Sequence, residues 1–279
     1  MFAVLKREFR SYFQNVIGWL FVAALMALFG LYFYVYNLRQ GYPYLYYTLS
    51  AITIIFMIAV PILTMRSFAE DRKNKTDQLM LTAPVPVAKV VLGKYLAMLA
   101  VFTVDIAVFC VTPLILRAFG TIPMGESYIA ILAFWLYGAA SIAVGMFISA
   151  LTESQVIAAV LTFVVLFISY MMQSLTGLIS SDRNWLTKIL NCLDLYAPFE
   201  KFQGGCLDIT AILYYVTVIV LFLYRAGHSE TALEHQQKDI FAQRFFKQFY
   251  CRSFRSCRGC QPGSRCAADE NYLGGLFVF

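Results

Sequence analysis

Six apolar stretches, approximately residues 16–36, 46–65, 95–116, 128–151, 156–175 and 209–224, dominate this chain of 279 residues. A helix needs roughly 20 apolar residues to cross about 30 Å of hydrocarbon at 1.5 Å per residue. Most of the stretches approach that length, and the sixth is shorter. The expected fold is therefore an all-α membrane protein with six transmembrane helices. Composition agrees, because only 14% of the residues are charged and 60% are hydrophobic. Soluble domains carry about 25% charged residues, so a soluble enzyme is disfavoured. The first 15 residues alternate charge with aromatics, and the first apolar run is long enough to span, so no cleavable signal peptide is expected.

Orientation follows from the basic residues. One set of segments holds Lys6, Arg7, Arg10, Arg66, Arg72, Lys73, Lys75, Lys89 and Lys94. The other holds Arg39, Arg117, Arg183, Lys188 and Lys201, three of them spread over the long stretch between the fifth and sixth spans. The positive-inside rule then places the N-terminus in the cytoplasm, with residues 66–94 inside and 176–208 outside. Tyr42, Tyr44, Tyr46 and Tyr47 fall at the outer face, as an aromatic belt would. The net charge of +6 is modest and suits loops facing anionic lipid better than nucleic acid. There is no internal repeat, and composition breaks only near Arg225, so residues 1–224 read as one membrane domain.

Two segments outside the spans carry pattern. Phe2, Leu5, Phe9, Tyr12 and Phe13 recur at helical spacing, opposite Lys6, Arg7, Arg10 and Gln14. Such a helix can lie in the interface with its basic face toward headgroups, or simply cap the first span. Between spans two and three, Thr76 can cap a short helix with Leu79 and Met80 on its apolar side, stopped by Pro84 and Pro86. By pattern alone this is either a solvated loop with one amphipathic turn or a docking element.

The interfacial first helix, the six spans and Thr76-Asp77-Gln78-Leu79-Met80-Leu81-Thr82-Ala83-Pro84 before Gly93-Lys94 resemble the permease subunits of type 2 ABC transporters, most of all the gliding-motility-associated branch. That family usually shows Gly-Thr-x-Glu-Leu-Leu-Leu-x-x-Pro in this loop; here Lys75 stands for the Gly and Gln78 for the Glu. The resemblance covers about residues 1–224, including Thr152-Glu153-Ser154-Gln155 and Ala197-Pro198-Phe199-Glu200-Lys201-Phe202 with Gly204 and Gly205. It implies a short cytoplasmic coupling helix around 79–81, with Thr76, Gln78, Leu79, Met80, Leu81 and Pro84 fitting a groove on a separate ATPase subunit. It further implies an outer gate at Pro198, Phe199 and Phe202, and pairing with a second copy or a related permease in the cell membrane. Catalysis, cofactors and metals are not expected on this chain. No Gly-x-x-x-x-Gly-Lys-[Ser/Thr] occurs in it, and Gly93-Lys94 lacks both the preceding glycine and the following hydroxyl. An intramembrane enzyme would need a reactive constellation at depth. Both histidines, His228 and His235, lie beyond the last apolar run. A passive channel or scaffold is the remaining alternative.

Asp105 stands about ten residues into the third span, near the bilayer centre, where a carboxylate costs roughly 2.5–3.5 kcal/mol on insertion scales. It either lines a polar translocation path or is a neutral acid hydrogen-bonded to a neighbouring Thr, Tyr or carbonyl; the second reading is slightly favoured. Pro61 and Pro113 are expected to kink their helices. In the outer segment, Trp185 and residues 186–190 can form an interfacial helix. Cys192 and Cys206 can pair in an oxidising compartment, although two free thiols are the default.

Residues 225–279 need a separate explanation, since they hold Cys251, Cys257, Cys260 and Cys266 in a spacing that fits a zinc ribbon poorly. When every codon is moved forward by one base, Glu230, Gln237 and Lys238 each become Lys or Arg, and all four cysteines become Val or Ala. A basic cluster just after span six is what positive-inside topology favours. These residues are accordingly expected to be an out-of-frame reading that lacks a packed core. Resequencing the locus through the codons for residues 221–229 should reveal the shifted base; an intact frame in independent clones, or stoichiometric zinc in the purified tail, would defeat the idea.

Overall fold

Lipid offers no partner to a peptide group, so each long apolar run closes its own hydrogen bonds as a helix. The computed structural model describes residues 2–14, 16–69, 87–119, 123–152, 154–179, 194–202, 208–229 and 231, and no strand occurs among them. The helices are α1 (Phe2–Gln14), α2 (Val16–Phe33), α3 (Tyr46–Thr64), α4 (Val87–Phe109), α5 (Thr112–Phe119), α6 (Met124–Leu151), α7 (Gln155–Ile179), α8 (Ala197–Lys201) and α9 (Ile209–Ser229). Six segments are long and apolar enough to cross a membrane: Gly18–Arg39, Tyr46–Thr64, Val87–Ala118, Met124–Leu151, Gln155–Met172 and Ile209–Ser229.

Several boundaries differ from the apolar runs. The first span continues through a π-helical turn, Tyr34–Arg39. The third begins at Val87 rather than Tyr95, and the sixth reaches Ser229 rather than Tyr224. Hydropathy stops at Lys89, Lys94 and Arg225, whereas backbone hydrogen bonding does not. The short sixth run is therefore not a short helix, and Ala226 within the added turn is fully buried. The chain divides into Met1–Ala232 and Leu233–Phe279, later than the break at Arg225. The second of these units, with the four tail cysteines, lies outside the described residues.

α1 is amphipathic as its spacing predicts. Lys6, Arg7 and Arg10 are exposed, while Tyr12 is buried and Phe9 and Phe13 pack on the core. The turn into α2 is tight: a Cβ on Gly18 would sit 2.3 Å from the Tyr12 carbonyl oxygen. The Trp19 Nε1–H donates to the Phe13 carbonyl at 2.8 Å across that corner. At the opposite end, Gly41 turns the chain with a φ of 71°. Asn37 fastens this turn, donating to the Tyr42 carbonyl at 2.9 Å and accepting from the Thr48 hydroxyl. Tyr42, Tyr44 and Tyr47 are exposed there, but Tyr46 is buried, so one member of the expected belt faces inward.

α6 is the central helix. Within its most apolar window 83% of the residues are buried, against 22% for α7 and 17% for α9, which places those two at the periphery. With no hydrophobic drive between helices in lipid, small residues that let backbones approach supply much of the association. A Cβ on Gly138 would meet Phe102 Cε1 at 2.3 Å, and one on Gly145 would meet Thr64 Oγ1 at 2.6 Å. Phe102 cannot yield easily, because its ring lies 5.1 Å from Phe56 and 5.9 Å from Phe134, centroid to centroid. Buried hydroxyls are satisfied locally: Thr53, Thr64, Ser141 and Thr162 each donate to a carbonyl four residues back. Pro61 is accommodated inside α3, whereas near Pro113 the helix is interrupted at Cys110 and Val111 before α5 resumes.

Gly138→Val should lower the thermal midpoint of the purified protein in detergent, by overpacking worth roughly 1–3 kcal/mol. Gly30→Ala should not lower it, since a Cβ there meets nothing within 4 Å and alanine is the better helix former.

Candidate functional site

Three regions hold the sequence-predicted residues. Thr76, Gln78, Leu79, Met80, Leu81 and Pro84 lie in segment 70–86, outside the described residues, as do Cys192, Cys206 and the 186–190 segment. What the structure does describe is how 70–86 is attached. Ser67, Phe68 and Ala69 follow α3 and are all buried. The backbone N–H groups of Phe68 and Ala69 both donate to Ser149 Oγ on α6, each at 3.3 Å. Lys94 Nζ, from α4, donates to the Ser67 carbonyl and lies 4.5 Å from the centroid of the Phe68 ring. Serine geometry suits the first contact, because one hydroxyl oxygen has two acceptor lone pairs for two successive amides.

Asp105 is fully buried in α4, and neither carboxylate oxygen has a hydrogen-bond partner among the described residues. The hydrogen-bonded acid favoured from the sequence is thus not found. Its helical neighbours explain why: Phe102 and Phe109, three and four residues away, share its face. Those rings engage Phe134 at 5.9 and 6.3 Å, and Phe109 also stacks on Phe29 at 3.8 Å. The hydroxyls nearest in sequence are used elsewhere. Thr103 donates to the Leu99 carbonyl and accepts from Trp135 Nε1. An apolar groove of about 480 Å³ opens beside α4, lined by Leu5, Leu96, Leu99, Thr103 and Val104, and Asp105 does not line it.

Pro198 and Phe199 lie on α8 and Phe202 caps it; all three are buried. Phe199 stacks on Tyr46 at 5.3 Å and meets Tyr137, Tyr196 and Phe134 at 5.7–6.3 Å. Tyr137 is thirteen residues into α6, about 20 Å along it. The segment 194–202 therefore folds back into the bundle as a plug. Irregular backbone at that position needs internal partners. Asp194 Oδ1 accepts the N–H groups of Tyr196 and Ala197, both at 2.9 Å. The Leu195 N–H donates to Ser169 Oγ at 3.0 Å, and the Leu195 carbonyl accepts from the Tyr215 hydroxyl at 2.8 Å. The Tyr214 hydroxyl donates to the Asp194 carbonyl, and the Tyr196 hydroxyl pairs with Ser50 at 2.8 Å. Burial pushes the Asp194 carboxyl above the usual carboxylate range, partly offset by the two N–H groups it accepts. Burial likewise raises the Tyr196 phenol.

Sequence reasoning missed Ser149, Asp194, Ser169 and Tyr215, single polar residues with no pattern around them. Lys94 reads in the sequence as one of the basic residues that set orientation and as half of Gly93-Lys94, and neither points to a buried partner.

The family model for the ABC-2 family transporter protein matches residues 33–223, from the end of α2 through most of α9. A search of curated proteins returned no match. With more than half of the chain matched and six apolar helices to cross the bilayer, this multi-pass membrane protein belongs to the ABC-2 transporter family, as a type 2 ABC permease.

Proposed function

We propose that this chain is the membrane subunit of an ATP-driven exporter of the plasma or inner membrane, with ATP hydrolysed on a separate ABC ATPase. The family match over residues 33–223 is the observation that carries the reading. The lack of any phosphate-binding loop pattern within these 279 residues supports placing hydrolysis on a partner. The gliding-motility-associated branch, the export direction and the pairing with a second copy or a related permease follow the resemblance carried by the order of the motifs along residues 1–224.

In this reading the N-terminus and segment 70–86 are cytoplasmic, and Leu79, Met80 and Leu81, flanked by Thr76, Gln78 and Pro84, seat in a groove on the ATPase. Closure of the ATPase subunits displaces the loop, and the bundle changes packing as rigid bodies rather than by continuous deformation. The 194–202 plug, with Pro198, Phe199 and Phe202 buried, corresponds to a closed outer gate. Asp105 is the polar group that another packing brings toward the translocation path, since a buried, unbonded carboxylate is costly where it stands.

Single cysteines at Asn74 and Ser181 in a Cys-free background test the orientation. An impermeant maleimide on intact cells should label Ser181 and spare Asn74, and the reverse pattern overturns it. Leu79→Ala/Met80→Ala removes apolar contact at about 25 cal/mol per Å². Membrane abundance should be retained while affinity for the ATPase falls about tenfold or more. Normal co-purification and normal ATP turnover would sink the docking assignment.

A further inference from the structure

Gly93-Lys94 sends its two residues in different directions. Gly93 lies against α1, where an added Cβ would stand 3.0 Å from Val4 Cγ1. Lys94, about 100° further round the helix, turns into the bundle and is only 3% exposed. A buried ammonium persists only where protein groups replace its water. Here those groups include the Ser67 carbonyl and the Phe68 ring, both just past the end of α3. From α6, Ser149 takes the next two amides, Phe68 and Ala69. One turn before Ser149, at Gly145, α6 touches Thr64 of α3 closely enough to exclude a Cβ. Three consecutive residues at the start of the 70–86 loop are thus held by one side chain from the helix that follows the loop and one from the central helix.

We propose that Lys94 and Ser149 are positioning residues that lock the start of the 70–86 loop to α4 and α6, so that a displacement of the loop reaches α3, α4 and α6 as one rigid body. This rests on the docking role proposed for that loop. The physical argument is stiffness. A root held by its own backbone alone would give way where the chain leaves α3, whereas residues 67–69, bonded to α4 and α6, pass a pull at that point on to both helices. Lys94 supplies that bond about two turns into α4. The ring of Phe68 limits the direction in which the ammonium can move, and Ser149 holds the same residues from the α6 side.

The test uses the full chain in lipid nanodiscs, alone and co-expressed in turn with each ABC ATPase of the same genome that lacks a membrane domain of its own. The variants are Lys94→Met, Lys94→Arg and Ser149→Ala, with Lys89→Met as a control that removes an exposed charge from the same helix. On the permease alone, amide hydrogen exchange of the peptide spanning Phe68 and Ala69 should speed up by about tenfold in Lys94→Met and in Ser149→Ala. Lys94→Arg should restore part of the protection, and Lys89→Met should leave it unchanged. In the complex, Lys94→Met should co-purify with as much ATPase as the wild type while ATP turnover falls severalfold. Unchanged exchange in both Lys94→Met and Ser149→Ala, or an equal rise in Lys89→Met, overturns the anchor. Faster exchange with wild-type turnover overturns its role in transmission. If the wild-type chain captures no ATPase, the docking reading of the loop fails, and the exchange result still decides the anchor. Should Lys94→Met not reach the membrane, Ser149→Ala gives the same two readings.

Discussion

The close approach of α6 to α3 and α4 is the constraint on which the rest of the bundle depends. Gly138 and Gly145 remove the two side chains that would otherwise stand between backbones, and the space is taken by Phe102, Phe56 and Thr64. Because lipid competes on equal terms for apolar contact, this seam holds through close packing rather than through expulsion of water. Around it, Phe56, Phe102, Phe134 and Tyr137 form a connected aromatic cluster with centroid separations of 5.1–6.0 Å. Aromatic pairs of this kind add about 0.5–1.5 kcal/mol each beyond area burial. α7 and α9 are the least buried of the spans and turn much of their apolar surface outward, although α7 also packs on the seam, with Thr162 against Gly145.

The two ends of the bundle use polar chemistry in the same way, to hold non-helical backbone inside protein. At one end Ser149 and Lys94 bond residues 67–69. At the other, Asp194, Ser169, Tyr214 and Tyr215 bond residues 194–197. Each polar side chain satisfies a backbone group that lipid could not, which is what permits a chain to leave helical geometry at such a position. Both attachments reach α6 or its neighbours, so the loop side and the plug side share one rigid element. The plug reaches it through Phe199 against Phe134 and Tyr137, and the loop through Ser149. A shift of α6 relative to α3 would be felt at both ends.

Asp105 departs from this economy. Its oxygens are buried without a partner among the described residues, on a face shared with Phe102 and Phe109. Local rules are broken at functional or strained positions more often than elsewhere. A buried acid with no partner among the described residues is a local conflict of this kind.

Much of the fold was legible because hydropathy and helical period are local properties. Six spans, the amphipathic α1 and the break near Pro113 follow from residues next to one another in sequence. Span ends were less legible. Lys94 and Arg225 read as boundaries, yet helix α4 runs through the first, whose charge finds partners 26 and 27 residues away, and helix α9 runs through the second. Tyr46 read as one of four belt tyrosines, and only its stacking on Phe199, 153 positions later, turns it inward. The same holds for Ser149 and Asp105, one partnered through residues 80 and 81 positions earlier and the other without a partner in the described structure. Sequence by itself determined that this chain belongs in a bilayer, how many of its helices are long and apolar enough to cross one and which family it belongs to, because those depend on run lengths and motif order. Tertiary structure alone decided which polar residues hold the loop and the plug and which acid is left unbonded, because a hydrogen bond depends on distance and direction between helices, and neither is written in the spacing along one of them.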